Sequence, residues 1–235
     1  MKREIIITAD GSSTIHIPEW DEQYHSKHGA IQEAYHVFIK HGLHHFISSE
    51  GVSESYKTVS EVSILEIGFG TGLNTFITLL ETEKLKSNID SIKKGPVFAN
   101  FVLADEINAL NYTQTLNAGN RAKLFKTIHN VSWEEKHQIC DGFTLIKRKQ
   151  YFSEIDDTEA YNIIYFDAFG ARVQPELWTE SVFKIMYKAL KTNGVLVTYS
   201  AKGSVRRAMQ AVGFIVDRLP GPPGKREMLR ACKEA

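Results

Sequence analysis

A glycine-rich turn contains the first residues whose spacing could support chemistry. In "ILEIGFGTGLN", residues 64–74, an apolar segment ends in Glu66 and is followed by three glycines spaced by two, Gly68, Gly70 and Gly72. Such a turn lets the backbone approach a bound nucleotide or phosphate closely. A dinucleotide-binding turn needs G-x-G-x-x-G, but Leu73 stands where its third glycine would fall, and no G-x-x-x-x-G-K-[ST] stretch occurs. A capped turn that binds nothing is the structural alternative.

The spacing acid-x-Gly-x-Gly-x-Gly resembles the first motif of class I S-adenosylmethionine-dependent methyltransferases. The resemblance implies that Glu66 lies near the ammonium group of the cofactor, that the backbone of the glycines approaches it, and that Asn74 of the same turn is a further cofactor-binding candidate. It also implies an acid after the next strand that binds both ribose hydroxyls. "FVLADEINAL" offers Asp105 and Glu106, of which we favour Glu106.

A second acid follows a strand-like segment in "IIYFDAFGARVQPELW". Methylation of an amine requires a neutral nitrogen lone pair aimed at the sulfonium methyl group, and a carboxylate can orient the amine and accept its proton. Asp167 is the candidate for this role, and Phe169, two residues later, could hold a base or a cationic amine against its ring. The structural alternatives are that Asp167 caps a turn and that Trp178 is a core residue.

Alternating apolar runs and amphipathic segments predict the framework that positions these residues. We expect strands at residues 62–67, 99–104, 141–146, 162–166, 195–199 and 214–219. Helices should begin near Leu73, Leu110, Pro175 and Ser204, with Asn193-Gly194 and Gly213 as caps at two helix ends. Because strand and helix alternate, the sheet should be mostly parallel. "KREMLRAC" follows "LPGPPG" too closely for a crossover helix, so the last strand should be antiparallel.

The predicted fold class is therefore α/β, with a mostly parallel seven-stranded sheet whose last strand is antiparallel, and the resemblance of the glycine turn implies that it is a Rossmann-like class I methyltransferase. We expect this domain at residues 61–235. Residues 1–60 should form an extension made of a hairpin around Asp10-Gly11 and a helix that stops at Gly42.

Several stretches resemble, in the same order, the tRNA 5-aminomethyl-2-thiouridine methyltransferases, which occur as one half of MnmC or alone as MnmD. They are "YHSKHGAIQEAYHVF", "LEIGFGTGLN", "DAFGARVQPELWTESVF", "AKGSVRRAMQAVGF" and "PGPPGKREML". The resemblance implies S-adenosyl-L-methionine as methyl donor and the aminomethyl group of the tRNA wobble uridine as acceptor. The target base would have to leave the anticodon stack. Because the sequence stops just after the KREML stretch and contains no second glycine fingerprint, we expect methylation without the flavin-dependent oxidase half.

The same resemblance assigns further site residues. Tyr24 and His25 would contact the substrate, Gln32 and Glu33 would line the cofactor pocket, and Tyr24 or Trp178 would stack on the base with Phe169. Candidate contacts to tRNA phosphates are Arg206, Arg207, Lys225 and Arg226, with solvated surface charges as the alternative. This chain departs from the usual pattern in two places. Lys149 and Gln150 stand where many methyltransferases have an adenine-binding acid, so the candidates for that contact are the Gln150 side chain and a backbone carbonyl. Ala171 replaces a common proline.

Composition bounds the remaining possibilities. The 235 residues carry no net charge, and only two cysteines occur, Cys140 and Cys232, so we expect neither disulfides nor a cysteine-built zinc site. Seven histidines precede residue 46, but they lack a clear set of further ligands and we predict no metal. With no secretory signal, we expect a cytoplasmic protein. Alternatives are a polyamine-type aminopropyltransferase, a small-molecule amine methyltransferase and a non-enzymatic RNA-binding module; the oligomeric state is left open.

Overall fold

A mixed eight-stranded sheet forms the centre of the computed structural model, which describes residues 2–51, 61–85, 92–97 and 104–234. A separate three-stranded sheet lies at the N-terminus. The strands in chain order are β1 Glu4–Ile7, β2 Ser13–Ile17, β3 Glu22–Gln23, β4 Val62–Ile67, β5 Ile92–Val97, β6 Lys136–Cys140, β7 Phe143–Ile146, β8 Tyr161–Phe166, β9 Leu190–Thr198, β10 Ile215–Pro220 and β11 Glu227–Cys232.

The order of the large sheet is β10-β11-β9-β8-β4-β5-β7-β6. Strands β9, β8, β4, β5 and β7 are parallel, while β11 is antiparallel to both β9 and β10. The predicted α/β class and antiparallel last strand are therefore confirmed. The described sheet has eight strands instead of seven, because β6 turns at Asp141-Gly142 and adds an antiparallel edge strand to β7.

The order places a switch point between β4 and β8. From β4 the chain builds outward through β5 and β7, and it then returns to add β8 on the other side of β4. Ligands of open parallel sheets bind in the crevice that such a reversal leaves beyond the carboxyl ends of the strands. All six residues of β4 are buried, as expected for a central strand covered on both faces.

Helices cover both faces of the sheet. The α-helical segments are α1 Ala30–Ala34, α2 His45–Gly51, α3 Leu73–Lys84, α4 Ala104–Ala109, α5 Tyr112–Thr115, α6 Ala122–Asn130, α7 Glu180–Ala189 and α8 Gly203–Ala211. A π-helical segment, Tyr35–His44, joins α1 to α2, and single 3-10 turns occur at Pro18–Trp20, Gly119–Arg121, Phe152–Glu154 and Pro175–Trp178. Within the described ranges, no helix is long and apolar enough to cross a membrane.

The N-terminal segment packs directly on the sheet. The predicted hairpin is confirmed, since β1 and β2 pair antiparallel. The predicted helix stop at Gly42 is wrong, because the helix continues through this residue into α2. Gly42 is buried, and a Cβ there would lie 3.1 Å from Val197 Cγ2 and 3.2 Å from Tyr165 Cε1. The glycine therefore allows the helix to approach the sheet closely and does not terminate it.

Other element boundaries also differ from expectation. The strand expected at 99–104 falls largely outside the described residues, and Ala104 begins α4. The single helix expected near Leu110 is replaced by α4, α5 and α6. Asn193, with φ 63°, bends strand β9 and does not cap a helix, because α7 has already ended at Ala189. Gly213, with φ 108°, does follow the end of α8, where Phe214 N donates to Met209 O at 3.2 Å.

Candidate active site

Two predicted site segments meet at the crevice between β4 and β8. The glycine turn follows β4, and Asp167 follows β8. The backbone amide of Asp167 donates to the carbonyl of Ile67 at 2.9 Å, which continues the parallel pairing one residue past the strands. A Cβ on Gly68, whose φ is +91°, would lie 2.4 Å from the carbonyl oxygen of Asp167. Glycine is therefore required at this position by both its backbone conformation and the close approach of the next strand.

Thr71 anchors the centre of the glycine turn. Its hydroxyl lies 2.7 Å from His25 Nε2 and 3.1 Å from the Tyr112 hydroxyl, and its carbonyl lies 3.1 Å from His129 Nε2. These three partners come from the N-terminal segment, α5 and α6. A Cβ on Gly72 would lie 2.8 Å from His129 Nε2, so this glycine makes room for the anchoring histidine.

Asp167 lies in a buried, charged environment. Its side chain is 7% exposed, and Asn74 Nδ2 donates to its Oδ2 at 2.8 Å. Burial raises the pKa of Asp167 well above its ordinary value, the nearby Glu33 and Glu66 raise it further, and Asn74 and Lys225 oppose the rise. A carboxyl group with a raised pKa is better able to accept a proton from a reacting amine near neutral pH.

His25 contributes a neutral ring beside this carboxylate. Its Nδ1 lies 3.9 Å from Asp167 Oδ2, and its Nε2 contacts Thr71 as described above. Burial, together with the positive charge of Lys225, lowers the pKa of His25 to about 4. At neutral pH the residue is therefore an uncharged imidazole that links the glycine turn to the catalytic candidate.

An aromatic group lies beside the glycine turn: a Cβ on Gly70 would lie 3.0 Å from Tyr24 Cδ1. Phe169 makes edge-to-face contacts with Tyr24, at 5.1 Å between ring centroids, and with Trp20, at 5.6 Å. Trp178 lies beneath this group: it is 5% exposed, and its indole N–H donates to the Phe169 carbonyl at 2.8 Å. Trp178 is thus a core residue that fixes the backbone of Phe169, and its predicted stacking on a base is not supported.

A cavity of about 890 Å³ opens between the turn, Asp167 and the aromatic group. Half of the predicted site residues line it: Tyr24, His25, Glu33, Gly68, Gly70, Gln150, Asp167, Phe169 and Lys225. These residues come from the N-terminal segment, the central strand ends and the loop between β10 and β11. The structure therefore brings together residues separated by up to 201 positions in the sequence.

The other predicted residues do not line this cavity. Glu66 is fully buried under the turn and accepts from the Thr75 hydroxyl at 2.8 Å, whereas Asn74 reaches the site through Asp167. Glu106 lies in the first turn of α4, with its carboxylate 3.0 Å from Arg3 Nη1. Of the remainder, Gln32, Arg207 and Arg226 are exposed and Arg206 is partly exposed. Gly72 packs against His129, and Trp178 is buried in the core.

The residues present fit an S-adenosyl-L-methionine cofactor. Gly68 and Gly70, with φ of +91° and +49°, expose bare backbone on the cavity wall. Gln150 also lines the cavity, and its buried Nε2 has no hydrogen-bond partner among the described residues, so this amide is available to a nucleobase. The cavity lining thus combines the carboxylates of Glu33 and Asp167, bare glycine backbone and the Gln150 amide. This set suits a nucleoside with a charged tail.

Sequence reasoning missed several cavity residues. Tyr199 follows β9 and hydrogen-bonds to the Ala168 carbonyl at 2.8 Å, and Tyr151, 78% exposed, lies in the loop after β7. Both occupy the carboxyl edge of the sheet, the signal that identified Asp167. Glu22 and Glu176 also line the cavity. Neither glutamate follows a predicted strand of the large sheet, so the sequence did not indicate that these residues lie at the cavity.

Comparisons with known proteins agree with this geometry. A family described as S-adenosyl-L-methionine-dependent methyltransferase matches residues 133–234, and its description names the cofactor predicted from the glycine turn. The chain is 27% identical over 232 residues to the tRNA 5-methylaminomethyl-2-thiouridine biosynthesis bifunctional protein MnmC of Paraburkholderia xenovorans (strain LB400), covering 90% of this chain and 32% of that protein. For the protein of the same name from Cupriavidus metallidurans the identity is 26%, covering 96% and 33%. The chain thus spans about a third of the length of these relatives.

Solved structures show the same fold. The crystal structure of MNMC2 from Aquifex aeolicus superposes with a TM-score of 0.76 at 23% identity, covering all of this chain and 71% of that one. Spermidine synthase from Thermotoga maritima gives a TM-score of 0.57 at 14% identity, covering 98% and 68%. The chain is therefore similar in fold to these solved structures, and similar in sequence to the MnmC relatives and to a family described as S-adenosyl-L-methionine-dependent methyltransferase.

Proposed function

We propose that this protein transfers the methyl group of S-adenosyl-L-methionine to the amine of 5-aminomethyl-(2-thio)uridine at the wobble position of tRNA. The product is 5-methylaminomethyl-(2-thio)uridine. The observation that carries the proposal is the position of Asp167, a buried carboxylate that lines one cavity together with the glycine turn and the aromatic residues Tyr24 and Phe169. The names of the MnmC relatives specify the product nucleoside, 5-methylaminomethyl-2-thiouridine, and so support the choice of acceptor.

The chemistry assigns distinct roles to the residues of the site. When bound, the cofactor supplies a methyl group on a sulfonium. Asp167 accepts an N–H hydrogen bond from the acceptor amine and so aims the nitrogen lone pair. The N–C bond forms as the S–C bond breaks, and the surplus proton on nitrogen passes to the Asp167 carboxylate. Asn74 holds that carboxylate in place with its 2.8 Å hydrogen bond.

The aromatic group explains how a nucleobase would be held. Tyr24 and Phe169 line the cavity, and aromatic rings bind extruded bases by stacking without demanding a particular sequence. Exposed Arg207 and Arg226, with Arg206, stay our candidates for phosphate contacts. We place the reaction in the cytoplasm, where tRNA is modified. We further propose that residues 61–235 are the methyltransferase domain and that residues 1–60 are an extension that completes its site with Tyr24, His25 and Glu33.

The test is a transfer assay with methyl-labelled S-adenosyl-L-methionine and tRNA that carries the aminomethyl nucleoside. Mass spectrometry of the wobble nucleosides should show one added methyl group with the wild-type protein. Asp167→Asn should lower turnover by at least about 100-fold, as expected for loss of a general base, while cofactor affinity in calorimetry changes little. An unchanged wobble nucleoside despite bound cofactor would refute the proposal.

The same assay separates the aminopropyltransferase alternative. The fold is shared with spermidine synthase, so fold alone does not decide between the two reactions. Decarboxylated S-adenosylmethionine lacks the carboxylate of the methionine part, and a polyamine acceptor has no nucleobase. Preference for this donor and acceptor pair over S-adenosyl-L-methionine and tRNA would replace methylation with aminopropyl transfer as the function.

A further inference from the structure

Lys225 enters the active site from the loop between β10 and β11. Sequence reasoning placed it on tRNA phosphates, and the structure gives it internal partners instead. Its Nζ lies 2.5 Å from Glu33 Oε2 and 3.8 Å from the centroid of the Tyr199 ring. The side chain is 30% exposed, and that of Glu33 is 7% exposed. The lysine charge is thus directed into the cavity and not toward solvent.

Both ends of this ion pair are fixed by the fold. The other carboxylate oxygen of Glu33 accepts from the backbone N–H of Ser26 at 3.1 Å, which ties α1 to the N-terminal segment. The loop that carries Lys225 is closed by Lys225 N donating to Pro222 O at 2.9 Å and Gly221 N donating to Arg226 O at 3.1 Å. A lysine held in this way acts as a positioned charge.

Glu33, Lys225 and Asp167 line the same cavity, and the neighbours of Asp167 there form a small set. From β4 and α1 come the carboxylates of Glu66 and Glu33, and from α3 comes the amide of Asn74. The N-terminal segment provides the neutral His25 ring at 3.9 Å. The end of β9 provides the hydroxyl of Tyr199, which is bonded to the Ala168 carbonyl, and the β10–β11 loop provides the Lys225 cation.

We propose that Lys225 and Glu33 form a charge-setting pair for Asp167: the lysine keeps the catalytic carboxylate ionised inside the cavity, and the glutamate limits how strongly the lysine does so. This assignment rests on the proposed function, because it concerns the proton that Asp167 accepts during methyl transfer. Lys225 is then a positioning residue of the reaction and not a phosphate contact.

The two members of the pair affect the pKa of Asp167 in opposite directions. Glu33 raises this pKa and Lys225 lowers it. Only the ionised carboxylate can accept the proton, so turnover increases as pH rises through the pKa of Asp167. Loss of the lysine charge should move the acid limb of the pH–kcat profile to higher pH. Loss of the glutamate charge should move it to lower pH.

The experiment compares pH–kcat profiles of the full chain with labelled S-adenosyl-L-methionine and saturating tRNA. Lys225→Met should shift the acid limb up by about one pH unit, the lower end of the effect of a neighbouring charge, and Glu33→Gln should shift it down. The Lys225→Met/Glu33→Gln double variant should fall between the two single variants. Lys225→Arg should stay near the wild type because it keeps the charge.

Opposite shifts are an outcome that a purely structural role does not produce. Shifts in the same direction, or unshifted profiles with only a weaker salt dependence of the KM for tRNA, would overturn the proposal, the latter in favour of a phosphate contact. If Lys225→Met fails to fold in thermal melts, the downward shift of Glu33→Gln still decides. A wild-type protein that transfers no methyl group refutes the proposed function, whereas an active wild type with unshifted variants refutes only the charge-setting pair.

Discussion

Substitution of Gly68 by alanine should inactivate the protein far more than it destabilises it. The φ of +91° costs an L-residue roughly 1–2 kcal/mol, which for a chain of this size corresponds to a fall in Tm of roughly 2–8 °C. The new Cβ would also stand 2.4 Å from the Asp167 carbonyl oxygen, where ordinary contacts begin near 3.4 Å. The strand end that carries Asp167 would therefore have to move by about 1 Å, and a displacement of ~1 Å costs on the order of 100-fold in rate.

Gly11 supplies the matched control. Its φ is +81°, and a Cβ built there meets nothing within 4 Å. Gly11→Ala therefore has the same backbone penalty without the collision. We expect both variants to melt at lower temperature than the wild type, but only Gly68→Ala to lose methyl transfer, measured as kcat with labelled S-adenosyl-L-methionine. Equal activity of the two variants would refute the claim that the close approach of Gly68 to Asp167 positions the catalytic carboxylate.

Three further predictions concern separate parts of the site. Trp178→Phe removes the hydrogen bond to the Phe169 carbonyl, so the KM for tRNA should rise about fivefold, the equivalent of ~1 kcal/mol, with cofactor affinity unchanged in calorimetry; an unchanged KM would separate Trp178 from base binding. Arg207→Ala and Arg226→Ala should each reduce the slope of log K for tRNA against log salt by about 1, and an unaltered slope would leave these residues as surface charges. Burial lowers the pKa of His25 from 6.5 to about 4, so the unfolded chain binds more protons in this window and stability is lost as pH falls through it. Between pH 7 and pH 5, the free energy of unfolding measured in urea should fall by on the order of 2 kcal/mol less in His25→Gln than in the wild type. Equal falls would contradict a neutral buried His25.

The central strands and the residues that follow them were predictable because their signals are local. Mostly apolar runs of strand length, such as Val62–Ile67, identify buried parallel strands, and Gly68 and Asp167 follow directly after two such runs. Because both residues follow parallel strands of one sheet, Gly68 and Asp167 can be predicted to lie close together even when no contact between them is known. Strand β6 carries no such signal, because three of its five residues are polar or charged and only Ile139 is buried.

The direction of a charged side chain was not predictable from the sequence. Lys225 and Arg226 are adjacent in one basic stretch, yet the first meets Glu33 from 192 residues earlier and the second is exposed. Gly42 illustrates the same limit for the backbone, since a glycine late in a helical pattern predicts a helix end unless a neighbouring sheet needs the space. In both cases a long-range contact decides, and one sequence contains no record of it.

A crystal structure of the protein with S-adenosylhomocysteine tests the central claim most directly. The account predicts density against the backbone of Gly68 and Gly70, with the thioether sulfur facing the cavity between Asp167 and Phe169. Density elsewhere, or a thioether turned away from Asp167, would contradict it.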